Sequence, residues 1–405
     1  MHLQDCETFI VANPPPSFGG RYFIFVKLVT SNGIVGYGEV YAGQLAPEVM
    51  CAVVGDVFAR HCDGASPFDR EAMGARAYSS GFSQRADPTV LAAWSGIEIA
   101  CFDIIGKALE QPVHALIGGM VHERVRAYTY LYPGPGDVPA DFYNDPDASA
   151  ERAAELVEEG WTAIKFDPAG PYTIHDPHQP AMADISRSVA FCAKIREAVG
   201  DRADLLFGTH GQFTPSGAIR MGYAIAPYRP LWFEEPVPPD VAASLGKVVA
   251  GQPVPVAAGE RLTSLHEFAR LLEADVSILQ PALGRCGGIG EACKIAALAK
   301  AHHAQIAPHL YAGPIEAAAN VQLAASQPNL LLMESIGTMG GFHAELLDRP
   351  IRIEEGHAIP STEPGLGHDL DEDVARANPW TGEQLHLEMQ DTPYDYSRES
   401  RFGGG

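Results

Sequence analysis

The chain reads as a (β/α)8 barrel with an N-terminal α+β capping domain, on three observations. A β-hairpin pattern followed by helical spacing fills roughly the first 120 residues. After Gly119, eight short apolar runs alternate with amphipathic helical patterns. The 405 residues also exceed the roughly 250–300 at which a single core stops growing, so more than one domain is required.

The elements follow in order. Tyr22 to Thr30 (YFIFVKLVT) is rich in β-formers, Ser31-Asn32-Gly33 is a turn, and Ile34 to Glu39 resumes as a strand. From Ala46 to about Leu116 apolar positions recur at helical spacing, most clearly in VLAAWSGIEIACFDIIGKAL, and Pro112 and Gly118-Gly119 close the segment. The eight later strands are expected at Val125–Tyr132, Ala163–Phe166, Leu205–His210, Leu231–Glu235, Val256–Glu260, Val276–Gln280, Gln305–His309 and Leu330–Ser335. Helical patterns between them, such as SAERAAELVEEG and IGEACKIAALAKAHHA, are long enough for right-handed crossovers. Eight such units favour a closed barrel over an open doubly wound sheet. The predicted domains are 1–120 (cap), 121–350 (barrel) and 351–405, a Pro/Gly-rich acidic segment folding back on the cap.

Two connections, Tyr132 to Asp147 and Asp167 to Ala183, are unusually long and follow barrel strands on the side where sites are built, which suits covers over a site.

A net charge of −23 argues against nucleic-acid or anionic-membrane partners, since phosphate binding needs a basic face. No apolar run is expected to reach a membrane span of about 20 residues, and the N-terminal sequence lacks a secretory pattern, so the expected location is cytoplasmic. The seven scattered cysteines are expected to be reduced and mostly buried.

The informative residues are polar groups ending otherwise apolar strands: Lys165, His210, Glu234 and Glu235, Glu260 and Arg261, Gln280, His309 and Glu334. In a barrel these tips converge on one mouth. Glu234 and Glu260, on adjacent strands, can share a hard divalent cation such as Mg²⁺, which would hold the enediolate formed when a carboxylate substrate loses its α-proton. Lys165 and His309 would face each other as base and acid, with apolar surroundings and a nearby cation lowering the lysine's pKa.

These residues, with the hairpin FVKLVTSNGIVGYGE and the segments FDIIGKALEQPVHALIGG, AIKFDP, WFEEPVPP, AAGERL, CGGI, APHLYAGP and PGLGHDLDE, resemble the enolase superfamily. The resemblance is to its mandelate racemase-like branch and, within that, to sugar-acid dehydratases of the galactonate and gluconate type. It covers nearly the whole chain. It implies a lyase that converts an aldonate or aldarate to a 2-keto-3-deoxy acid, uses Mg²⁺ (or Mn²⁺ or another divalent ion), and forms a homo-oligomer, from dimer to octamer. Glu234 and Glu260 match two of three metal carboxylates, His309 the strand-seven catalytic histidine, and Glu334 the glutamate that hydrogen-bonds a substrate carboxylate. His210 matches the dehydratases' second acid/base, and Lys165 the first lysine of the racemases' Lys-x-Lys, with Asp167 in the place of the second. Phe18 and Arg21 lie on the loop after the first strand, and Arg85 on a second loop at Tyr78 to Arg85; both loops would control specificity. Asp167, Arg261, Gln280 and His343 complete the substrate-facing set, His343 either lining the mouth or capping a turn.

Two positions depart from the family pattern. The first metal carboxylate falls at Gly208, so His210 is expected as third ligand, and Gly208→Asp is expected to strengthen Mg²⁺ binding. The aspartate that orients the strand-seven histidine is Ala282, which leaves His309 a weaker base but an adequate acid. Alternative readings are a racemase, epimerase or cycloisomerase, or a ligand-binding relative without turnover.

Overall fold

A computed structural model describes residues 1–41, 43–134 and 136–397; Pro135 of the first long loop and the last eight residues of the 351–405 segment lie outside the described residues. The cap begins with an antiparallel sheet of β1 (Leu3–Ala12), β2 (Tyr22–Thr30) and β3 (Val35–Val40). The predicted hairpin is β2–β3. The sequence reading does not include β1, because only Leu3, Phe9 and Val11 of its ten residues are buried and the alternation is too sparse to register.

Three helices back this sheet: α1 (Pro47–His61), α2 (Arg70–Ser79) and α3 (Pro88–Leu109). Helix α3 starts where Asp87 accepts hydrogen bonds from the Thr89 and Val90 amides with Pro88 at the first position, and it ends at Glu110 in left-handed backbone. By length and composition α3 could cross a membrane, contrary to the expectation that no run is so apolar, but 89% of its apolar window is buried in this core. It lies unusually close to β3: a Cβ on Gly38 would sit 1.8 Å from the Gly96 carbonyl oxygen.

The barrel strands are β4 (Val125–Tyr130), β5 (Ala163–Phe166), β6 (Asp204–Phe207), β7 (Trp232–Glu234), β8 (Val256–Ala258), β9 (Ile278–Leu279), β10 (Gln305–Ile306) and β11 (Met333–Ser335). Strands β4 to β10 pair in parallel in chain order, β11 pairs with β4, and an Ile306–Leu330 bridge closes the ring. All eight predicted strands are present, though most end earlier than predicted, so several candidate residues stand just past the strands. The floor of the barrel is one side chain per strand, Tyr128, Ala163, Leu206, Trp232, Ala257, Ile278, Ala307 and Leu332, five large residues with three alanines between them. This plug makes the barrel a packed core, and whatever lies two residues further along each strand faces the mouth.

The cap docks on the barrel through buried carboxylates that terminate barrel helices. Glu39 accepts the Gly313 and Glu316 amides at the start of the helix Pro314–Ser326, and Glu98 accepts the Ile289 and Gly290 amides at the start of Ile289–Ala301. Neither helix has a side-chain cap of its own, so the other domain supplies it.

The C-terminal segment takes a longer path than expected. Strands β12 (Arg352–Glu354) and β13 (His357–Ile359) extend the barrel sheet beside β4, so this part belongs with the barrel. The chain then crosses the cap, where the Leu366 amide bonds Asp103 and the Trp380 amide bonds the Ile10 carbonyl, and finally reaches the Asp167 to Ala183 connection. There the Ile174 amide bonds the Gln390 carbonyl, and Tyr394 stacks on His178 with ring centroids 4.1 Å apart.

Candidate active site

The period of two along each strand places the candidate residues. Two positions beyond the floor residues Ala163, Leu206, Trp232, Ile278, Ala307 and Leu332 stand Lys165, Gly208, Glu234, Gln280, His309 and Glu334. Glu260 joins them after Gly259, whose positive φ of 134° turns the chain past the end of β8.

Glu334 links the two proposed proton carriers. Its Oε2 is 2.8 Å from His309 Nδ1 and its Oε1 is 3.8 Å from Lys165 Nζ. The Leu310 amide donates to the same Oε2 at 2.7 Å. Lys165 donates to Glu234 Oε1 at 2.5 Å, and His309 Nδ1 is also 3.4 Å from Glu260 Oε2. Burial alone would lower the Lys165 ammonium, but Glu234 and Glu334 outweigh it and hold the amine charged, well above its ordinary value. This corrects the expectation of a lowered lysine pKa, whose error was to omit the carboxylates. Burial likewise would lower His309, yet Glu260 and Glu334 raise it to about 9, so it is an imidazolium at neutral pH. Against the cost of burial, Lys165 and His309 keep Glu334 ionised below its usual range.

The donor set fits a divalent cation. Asp167, Glu234, Glu260 and Glu334 are four buried carboxyl groups against two cations, Lys165 and His309, and burial pushes Asp167 above its ordinary value and Glu234 up to about 8, as acids short of positive charge would be. Asp167 Oδ1, Glu234 Oε2 and Glu260 Oε2 are buried without a hydrogen-bond partner, which is costly unless something else meets them. Among the described residues no three His, Cys, Asp or Glu side chains already converge on one ligating point, so binding would draw these oxygens together. His210 Nδ1 is 3.5 Å from Asp167 Oδ2 and its ring packs 4.7 Å from Tyr172, near enough to Glu260 to help lower that carboxyl.

The substrate-facing candidates divide. Gln280 is fully buried with both amide atoms unpartnered, and Arg261, fixed by a 2.6 Å bond from Nε to Glu235, keeps Nη2 unpartnered. Phe18 stacks on Tyr132 at 4.0 Å and roofs the first barrel strand. Arg21 instead turns to the C-terminal segment, donating to the Leu385 carbonyl and to Glu388, which removes it from the substrate set. Arg85 is exposed and Phe82 is 90% exposed, so that loop does not shield the site. His343 is buried beneath Gly19 and beside Phe23, where burial holds it down to about 4 and therefore neutral. His302 and His303 are exposed.

Sequence reasoning missed the aromatic wall of the mouth. Tyr130 and Tyr132 pack together at 5.2 Å, and Tyr41 of the cap lies 6.0 Å from the His309 ring. Their signal was present: Tyr130 is two residues past the floor residue Tyr128, and β4 carries no charged tip. A cavity of about 280 Å³ lies elsewhere, between α2, α3 and the helix Ile289–Ala301. All seven cysteines are free, four of them buried.

This fold and site have known relatives. The mandelate racemase/muconate lactonizing enzyme N-terminal domain matches residues 8–118, and the enolase C-terminal domain-like family matches residues 148–374. A D-galactonate dehydratase of Ralstonia nicotianae is 35% identical over 357 residues, covering 86% of this chain and 89% of that protein. Another, from Klebsiella pneumoniae, is 35% identical over 364 residues, covering 87% and 89%. A mandelate racemase/muconate lactonizing enzyme from Sulfitobacter sp has a solved structure 58% identical, with a TM-score of 0.96 over 98% of this chain and 100% of that one. The chain belongs to the mandelate racemase/muconate lactonizing enzyme family of the enolase superfamily. It is an enzyme, and its curated relatives place it among the lyases.

Proposed function

We propose that the protein dehydrates a sugar acid, an aldonate or aldarate, to a 2-keto-3-deoxy acid. The observation that carries this reading is the Lys165–Glu334–His309 arrangement, in which one carboxylate holds an amine and an imidazolium at the same mouth. The D-galactonate dehydratases among the relatives support the substrate class.

Lys165, once its ammonium has given up its proton, takes the proton α to the substrate carboxylate. His309 donates its proton to the β-hydroxyl, which leaves as water, and the resulting enol tautomerises to the 2-keto acid. A protonated His309 can give its proton to a leaving hydroxyl, and would equally serve to return one to C2, so the choice of dehydration over racemisation is supported by the D-galactonate dehydratases among the relatives. Glu234 and Glu260 would hold a divalent ion, Mg²⁺ or Mn²⁺, which when bound supplies positive charge beside the substrate carboxylate and acidifies the α-proton. Gln280 and the free arm of Arg261 offer hydrogen bonds to substrate hydroxyls or a distal carboxylate. Phe18 on Tyr132 keeps water out, and substrate access requires this contact to part.

A panel of aldonates and aldarates incubated with enzyme and Mg²⁺ tests the reading. One or more should give a 2-keto-3-deoxy acid; a panel left wholly unchanged, or changed only by inversion at C2, overturns it.

A further inference from the structure

Gly208 stands where the resemblance puts a metal carboxylate, and its backbone does not call for glycine, since its φ lies outside the left-handed region. What excludes a side chain is Asp167. A Cβ built on Gly208 would lie 1.7 Å from Asp167 Oδ1 and 3.1 Å from Lys165 Cε. The two positions are neighbours across β5 and β6, where the Gly208 amide bonds the Phe166 carbonyl at 3.0 Å. The space emptied on strand three is therefore filled by a carboxylate from strand two. That carboxylate is 92% buried by the 8% exposure of its residue, and its Oδ1 has no partner.

We propose that Asp167 is the third carboxylate of the metal site, displaced from the strand-three position to strand two, and that Gly208 is the small residue this displacement requires. The proposal rests on the reading of Glu234 and Glu260 as ligands and adds an oxygen donor of the kind Mg²⁺ prefers. It also gives His210 a different task. With Nδ1 3.5 Å from Asp167 Oδ2 and without a hydrogen-bond partner, His210 would stand beside the ligand and orient it rather than coordinate the ion.

The test is Mn²⁺ binding, followed by the electron paramagnetic resonance signal of the free ion, in wild type, Asp167→Asn, His210→Gln and the double variant Asp167→Gly with Gly208→Asp. Circular dichroism establishes that each variant is folded. Asp167→Asn should weaken Mn²⁺ binding at least about tenfold, His210→Gln should change it by less than about threefold, and the exchanged pair should recover most of the loss. Gly208→Asp alone should not strengthen binding, because it must expel the Asp167 carboxylate. Unchanged affinity in Asp167→Asn, or a loss confined to His210→Gln, overturns the proposal and leaves the dehydratase reading standing. A sugar-acid panel without product does the reverse. Failure of the wild type to bind Mn²⁺ overturns both the site and this ligand.

Discussion

His309 and Glu334 meet at 2.8 Å, so a carboxylate stands against the imidazole although this chain has Ala282 where the resemblance puts the orienting aspartate. Ala282 still bridges His309 through the backbone, so the histidine's place on the strand is kept while its orienting carboxylate comes from the next strand. The same glutamate faces Lys165, which couples the two proton carriers.

In metal-free protein the His309 imidazole should titrate at about 9, and Glu334→Gln should bring it down toward the ordinary histidine value. Nitrogen NMR of the histidine ring measures both. The same substitution should reduce turnover by at least about a hundredfold while leaving the melting temperature within a few degrees. An unshifted His309 titration would show that Glu334 does not set its charge.

Glu98 should be worth more to stability than to chemistry. It caps the helix Ile289–Ala301 from the other domain and pairs with Arg70 at 3.1 Å, so Glu98→Ala leaves two amides and a guanidinium unmet. A loss of about 3–5 kcal/mol is expected in urea unfolding, with Glu98→Gln costing less because its single amide oxygen still accepts one of the two amides, which bond different oxygens of the carboxylate. Equal losses for the two would show that the amide bonds contribute little.

Two glycines should respond with opposite signs. Gly38→Ala forces a Cβ against the Gly96 carbonyl of α3, backbone against backbone, and should cost about 3 kcal/mol or more. Gly55, inside α1 and exposed, has nothing within 4 Å of its Cβ position, and Gly55→Ala should stabilise by about 0.5–1 kcal/mol. Thermal melts of the two variants decide.

The contact between the C-terminal segment and the Pro14 to Arg21 loop should loosen in acid. His386 is buried with Nε2 3.0 Å from the Gly19 carbonyl; burial, together with Arg21, Arg285 and His309, holds it down to about 4. A depressed folded-state value means that the neutral ring's contribution is complete above the unfolded value of about 6.5 and is lost as pH falls toward 4. Hydrogen exchange around residues 380–390, corrected for intrinsic rates, should therefore accelerate between pH 6.5 and 4, and His386→Gln should remove most of that dependence. A pH-independent segment would contradict the assignment.

Much of this was legible in the sequence. The eight barrel strands were visible because each is a short apolar run, and their polar tips stood out against it. What was not legible depends on neighbours across the fold. Nothing in the local sequence shows that Asp167 fills the space of Gly208, since the two are joined only by strand pairing. The Lys165 charge was misread for the same reason: its apolar flanks are local, while Glu234 and Glu334 arrive from distant strands. Arg21 resembled an anion-binding lid residue, yet its partners Leu385 and Glu388 lie in a polar tail whose course is fixed by backbone bonds rather than by an apolar pattern.

The most direct measurement of the central claim is the fate of the C2 proton of a sugar acid in the presence of enzyme and Mg²⁺, followed by proton NMR. The account predicts loss of the C2 proton in step with appearance of the 2-keto-3-deoxy acid, with both abolished in Lys165→Ala and in His309→Ala. Exchange or inversion at C2 without dehydration, or full turnover by either variant, would contradict it.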